Sequence, residues 1–143
     1  MPFYWKRLLK KKVGANDGDN NTGKIKRSDR PLMKYTVNNG NEYAFSFLNI
    51  GATLTSLTMP DKDGNSNNIL LSFSEPEHFI TDQSYFFGKA IGRVGGRIKD
   101  GAFQYNNEHV QLPQNKRNNT LHGGSNGLHS LWWNVSELVL MGV

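Results

Sequence analysis

From Lys34 onward, apolar and polar residues alternate in short runs separated by turn-forming residues, a period of two that predicts strands rather than helices. Tyr35-Thr36-Val37 runs into Asn38-Asn39-Gly40-Asn41, where the glycine tolerates the positive φ of a tight turn, and residues 43–48 alternate again as a returning strand. Residues 53–59 set Thr and Ser against apolar side chains and stop at Pro60-Asp61-Lys62-Asp63-Gly64, a strong turn signal. Extended chain is expected to resume over residues 69–73. Residues 101–105 and 109–112 flank Asn106-Asn107-Glu108 and predict a second hairpin. Beyond residue 34 no apolar i, i+3, i+4, i+7 pattern holds for three turns, so a helical bundle or doubly wound sheet is disfavoured, and no fixed-period repeat suggests a propeller. The expected class is all-β.

Residues 1–33 read differently. Between Gly14 and Arg30 almost nothing is apolar, so burial cannot offset the entropy of ordering, and the stretch is expected to be a disordered, basic tail. Residues 1–34 carry ten Lys/Arg against three Asp, a net of +7, whereas the rest carries seven against nine, a net of −2. The overall charge of +5 therefore resides in the tail. Its Phe3-Tyr4-Trp5 cluster and lysines are compatible with a short amphipathic helix on RNA or an anionic membrane, but a solvated basic tail is the plainer reading. The globular part offers no basic surface for nucleic acid. No window reaches the ~20 apolar residues of a transmembrane helix, and no apolar core follows the N-terminal charges as a secretory signal requires. The absence of cysteine removes disulfides and thiolate chemistry and fits a cytoplasmic protein.

Two segments concentrate residue types that strands do not need. In Gly92-Arg93-Val94-Gly95-Gly96-Arg97-Ile98 the glycines permit close backbone approach, and Arg93 and Arg97 offer planar donor forks suited to carboxylates or vicinal hydroxyls. The spacing matches no phosphate loop or dinucleotide fingerprint. In Asn118-Asn119-Thr120-Leu121-His122-Gly123-Gly124, two glycines leave room beside an imidazole that can bond a ligand oxygen or carry a proton near neutral pH. His78, His109 and His129 make no metal-ligand pair with it, so no metal is expected. Phe86 and Phe87 precede the first segment and could present an aromatic face to a ring, although core packing is the commoner fate of phenylalanine.

Taken together and in order, these segments resemble the aldose 1-epimerase (galactose mutarotase) family, with its GRxxNRI-like turn, following hairpin and LHGG turn. Upstream, Asn49-Ile50-Gly51-Ala52-Thr53-Leu54 and the Pro60–Gly64 turn look like the family's opening strands, and Gly127 with Trp132-Trp133-Asn134-Val135 resembles its next strand. The resemblance covers roughly residues 34–137. It implies a galactose mutarotase-like β-sandwich of which residues 34–143 form the N-terminal portion, and a hexose such as glucose or galactose whose anomers are interconverted without a cofactor. It also implies that His122 lies in the sugar site and is the best catalytic candidate, that Arg97 contacts sugar hydroxyls while Arg93 serves structure, and that Gly96 and Phe87 border the sugar. Gly96 stands where many members have Asn. By the same resemblance, the base glutamate, the acid histidine and a sugar-binding aspartate come from the portion after the LHGG strand. A sandwich divided there leaves strand edges and apolar faces such as Trp132 and Trp133 open, so self-association or a complementing chain is expected. A non-catalytic, carbohydrate-binding fragment is the alternative.

Overall fold

A computed structural model describes residues 7–13, 30–40, 42–81 and 85–135. Five antiparallel strands form the main sheet in chain order: β1 (Arg7–Val13), β2 (Leu32–Asn38), β3 (Ala44–Leu48), β4 (Leu54–Pro60) and β5 (Ser66–Asn68). A four-residue helix, α1 (His78–Thr81), follows, and then two small ladders that pair β6 (Arg97–Ile98) with β9 (Thr120–Leu121) and β7 (Ala102–Tyr105) with β8 (Glu108–Gln111). The all-β expectation holds: two single 3-10 turns, Lys99–Gly101 and Leu128–Ser130, are the remaining helical elements among the described residues. No helix among them is long and apolar enough to cross a membrane.

The first hairpin forms where the alternation places it. Tyr35 sits opposite Phe47 and Val37 opposite Phe45; the Tyr35 and Phe47 rings stack at 5.2 Å. On the opposite side of the pleat the Thr36 and Ser46 hydroxyls share a 2.8 Å hydrogen bond, so each face of the pair carries its own cross-strand contact. Asn38 and Asn39 close the turn with side-chain oxygens that accept from the Gly40 and Tyr43 amides.

Three details differ from the sequence-based expectations. Strand β2 starts at Leu32, two residues inside the expected tail, because Leu32 is buried beside Leu48, Ile50 and Phe79 in the core. Arg7–Val13 pairs along the whole of β2; it occupies backbone donors and acceptors that would otherwise form an open edge. Residues 1–6 and 14–29 lie outside the described residues. The strand after the Pro60 turn is Ser66–Asn68 rather than residues 69–73. Asp61 tightens that turn by accepting from the Asp63 and Asn65 amides at 2.8 and 2.9 Å, so pairing begins at once with Pro60 opposite Ser66. The Asn68 side chain then takes the Leu57 amide at 2.9 Å and ends the ladder. Ile69 and Leu71 are left 61% and 71% exposed. The second hairpin turns on two residues, Asn106 and Asn107, both with positive φ (49° and 63°), the signature of a type I′ turn.

The core joins Leu32, Leu48, Ile50 and Phe79, with Phe73, Phe87 and Trp132 packed around it. Its organising point is the corner between β3 and β4. Gly51 and Ala52 take left-handed φ there, and the Thr53 hydroxyl donates to the Ile50 carbonyl at 2.7 Å. Two distant segments dock on this corner. Ala90 donates to the Gly51 carbonyl and Leu54 to the Gly88 carbonyl, while Gly51 donates to Leu131 and Trp133 to Asn49, all between 2.7 and 2.9 Å. Both candidate segments of the site hang from these attachments.

Candidate functional site

The two glycine-containing segments meet. Arg97 lies opposite Leu121 and Ile98 opposite Thr120 in the β6–β9 ladder. The pairing continues one step further, because the His122 amide donates to the Gly96 carbonyl at 3.0 Å. Gly96 returns the bond in a different way: its amide donates to Nδ1 of the His122 imidazole at 3.1 Å. A ring nitrogen that accepts an N–H carries no proton of its own, so the neutral imidazole holds its hydrogen on Nε2 and offers a donor. His122, Gly123 and Gly124 have consecutive left-handed φ values of 54°, 89° and 76°. For the histidine this conformation is uncommon; it turns the ring back over Gly96. The glycines are required because a Cβ on Gly123 would overlap the carbonyl oxygen of Gly92.

Side chains beyond the two segments fix this turn. Asn115 brackets Leu121, accepting from its amide at 2.7 Å and donating to its carbonyl at 3.0 Å. Leu128 donates to Gly92 at 3.1 Å, which ties the far side of the LHGG turn to the start of the arginine segment. Phe86 stands edge-on between two imidazoles, with its centroid 4.9 Å from both His122 and His129. His129 is buried, and burial first and the Lys89 charge second lower its affinity for a proton, so it sits neutral at neutral pH.

Of the residues singled out from sequence, Gly96, Arg97 and His122 are thus brought together. Arg97 and Arg93 are both exposed, and neither forms an ion pair among the described residues. Phe87 lies elsewhere: it packs on the core and stacks with Tyr85 at 5.1 Å, and its neighbour Phe86 is the aromatic residue that meets His122. Trp132 also packs on the core and bridges Ile50, whereas Trp133 remains 40% exposed. Asn115, Phe86 as a ring partner and His129 were not legible as site residues. Asn115 reads as one of many turn asparagines, and His129 draws attention only if its spacing from His122 is weighed. A hollow of about 390 Å³ between Lys34, Ser56, Leu70 and Phe79 shares no lining residue with this site.

The arrangement offers an imidazole N–H donor on a turn whose neighbouring ladder carries the exposed Arg97, donor types that can bond hydroxyl oxygens. Comparisons with known proteins bear on the family of the whole chain. A sequence profile described as aldose 1-epimerase matches residues 33–139. The galactose mutarotase of Pongo abelii is 40% identical over 83 residues, 58% of this chain and 24% of that protein. The aldose 1-epimerase of Streptococcus thermophilus is 35% identical over 112 residues, 78% of this chain and 31% of that protein. Among solved structures, galactose 1-epimerase from Lactobacillus acidophilus NCFM superposes with a TM-score of 0.68 at 30% identity, covering 90% of this chain and 33% of its own. The chain thus spans about a quarter to a third of the length of the relatives it matches.

Proposed function

Because the chain belongs to the aldose 1-epimerase family, we propose that it supplies the hexose-binding surface of a mutarotase, with His122 and Arg97 on the sugar. The observation that supports this reading is the pair of bonds between Gly96 and His122, which leaves Nε2 as the donor of the neutral imidazole, while the β6–β9 ladder sets the exposed Arg97 opposite Leu121, the residue before His122. In this reading Nε2–H donates to the ring oxygen or a neighbouring hydroxyl, and Arg97 bridges vicinal hydroxyls. Gly96 leaves room for the sugar. Phe86, rather than Phe87, supports the imidazole from behind.

Mutarotation removes the anomeric hydroxyl proton while the ring oxygen gains one, then recloses the ring on the other face. That requires two proton-transfer groups. Among the described residues, no carboxylate is hydrogen-bonded or ion-paired to His122, Arg93 or Arg97. In this reading the described residues position the sugar, and catalysis calls for a base from beyond them, whether in a longer form of this polypeptide, a complementing chain or a second copy. With no cysteine to keep reduced or oxidised, the cytoplasm, where hexoses are metabolised, is the compartment this function suits.

Saturation-transfer NMR with D-galactose and D-glucose tests the binding role, and polarimetry of freshly dissolved α-D-glucose tests catalysis. We expect hexose signals that vanish with His122→Ala and weaken about tenfold in affinity with Arg97→Ala, the loss of a charge-assisted bond. No saturation transfer to either sugar from folded protein would refute the reading. Mutarotation above the buffer rate that His122→Ala abolishes would instead show a working acid–base pair. A binding fragment without catalysis is the second reading, favoured by the lack, among the described residues, of a carboxylate bonded to the imidazole.

A further inference from the structure

The two imidazoles flanking Phe86 have opposite surroundings. At His122, Nδ1 faces the Gly96 N–H and is bare. At His129, which is only 9% exposed, Nδ1 is buried and lies outside good hydrogen-bond geometry, yet the His122 backbone is close enough to favour a proton on the ring. The acceptor nearest to hand is the backbone carbonyl of His122. A methyl group on Gly127 would stand 2.6 Å from that oxygen and 2.8 Å from His129 Nδ1, so both atoms border the same small space. Only a glycine at 127 lets them approach. A carbonyl oxygen cannot donate, so a neutral imidazole directed at it satisfies both groups only by carrying its hydrogen on Nδ1. A buried, unpaired ring nitrogen is costly, which favours closure of that contact. On its other side the His129 ring meets the edge of Phe86, and Phe86 meets His122.

We propose that His129 is a positioning residue for His122: it holds its proton on Nδ1, gives it to the His122 carbonyl, and through Phe86 keeps the His122 ring against Gly96 with Nε2–H outward. The two histidines are then neutral tautomers of opposite kind. The backbone bond anchors the strained left-handed residue from below while Phe86 blocks rotation of the ring from the side. The functional meaning of this inference rests on His122 as a sugar contact; the tautomers do not.

Long-range ¹H–¹⁵N spectra of the full chain with ¹⁵N-histidine, recorded at mildly alkaline pH, read each tautomer directly. The expected pattern is Nε2–H with bare Nδ1 at His122, and the reverse at His129. In His129→Phe, which keeps a buried ring but has no donor, His122 should become a mixture of both tautomers, and any hexose affinity should fall about three- to tenfold. His129→Asn places an amide N–H near the position of Nδ1 and should restore a single His122 tautomer. A bare Nδ1 at His129 in the unsubstituted chain overturns the proposal, and this result does not depend on any variant folding. A single, unchanged His122 tautomer in folded His129→Phe overturns it equally. The expected spectra without hexose binding would uphold the positioning role and count only against the sugar-site reading.

Discussion

A single asparagine does for Leu121 what a neighbouring strand would do, filling both its donor and its acceptor. Asn115→Ala should therefore cost about 1–3 kcal/mol, the loss of two partly buried bonds with their backbone groups left unpaired, seen as a lower urea midpoint with an unchanged slope. His129 predicts a pH dependence. In the unfolded chain its ring gains a proton near the ordinary value of 6.5, while in the folded chain burial and Lys89 hold that value down. The unfolded state thus binds more protons, and stability falls as pH drops below about 6.5 towards the lower folded value. The thermal midpoint of the unsubstituted chain should decline across that interval more steeply than that of His129→Phe. At this scale the sequence was a good guide to types and a poor one to directions. Gly96, Arg97 and His122 stand out because strands have no need of them. Phe86 and Phe87 open a tight turn closed by the Lys89 amide on the Phe86 carbonyl, where no strand alternation sets the phase that sends Phe87 to the core and Phe86 to the imidazoles.

Hairpins were legible as elements because each is specified locally. Residues 35–37 and 43–48 alternate, and an asparagine-rich turn lies between them. The strand after Pro60 was misplaced for an equally local reason. The apolar run Ile69-Leu70-Leu71 looks like the better strand, but the Asp61 and Asn68 side chains decide where pairing starts and stops, and hydrophobic alternation does not record such caps. The pairing of β6 with β9, by contrast, joins residues more than twenty positions apart and leaves no periodic trace. The corner at Gly51 is an element-scale junction sensitive to substitution. A side chain there must take φ near +61° and would run into the backbone carbonyl of His129. Gly51→Ala should destabilise by about 2–4 kcal/mol, more than conformation alone would cost, because backbone cannot give way as a side-chain tip can; guanidine unfolding followed by circular dichroism measures it.

For the molecule as a whole, Ile69, Leu71, Tyr105 and Trp133 lie 40% to 71% exposed, an apolar load that favours association. Sedimentation velocity should show mass increasing with concentration, and Leu71→Lys with Tyr105→Lys should shift the chain towards monomer; a monomer at all concentrations would refute this. The class and the family motifs were readable across the molecule because turns and strand periods are short-range, whereas the attachment of residues 88–90 and 131–133 to one corner was not. That corner also governs the order of folding. The hydrogen bond from Gly51 to Leu131 joins positions 80 apart in sequence. Hairpins of neighbouring sequence close in about 1–10 μs, but contacts of such separation wait on slow loop closure. The meander sheet is thus the part a growing chain can complete early, and the docking of the segment that follows the His122 turn is finished only once Leu131 has arrived at Gly51.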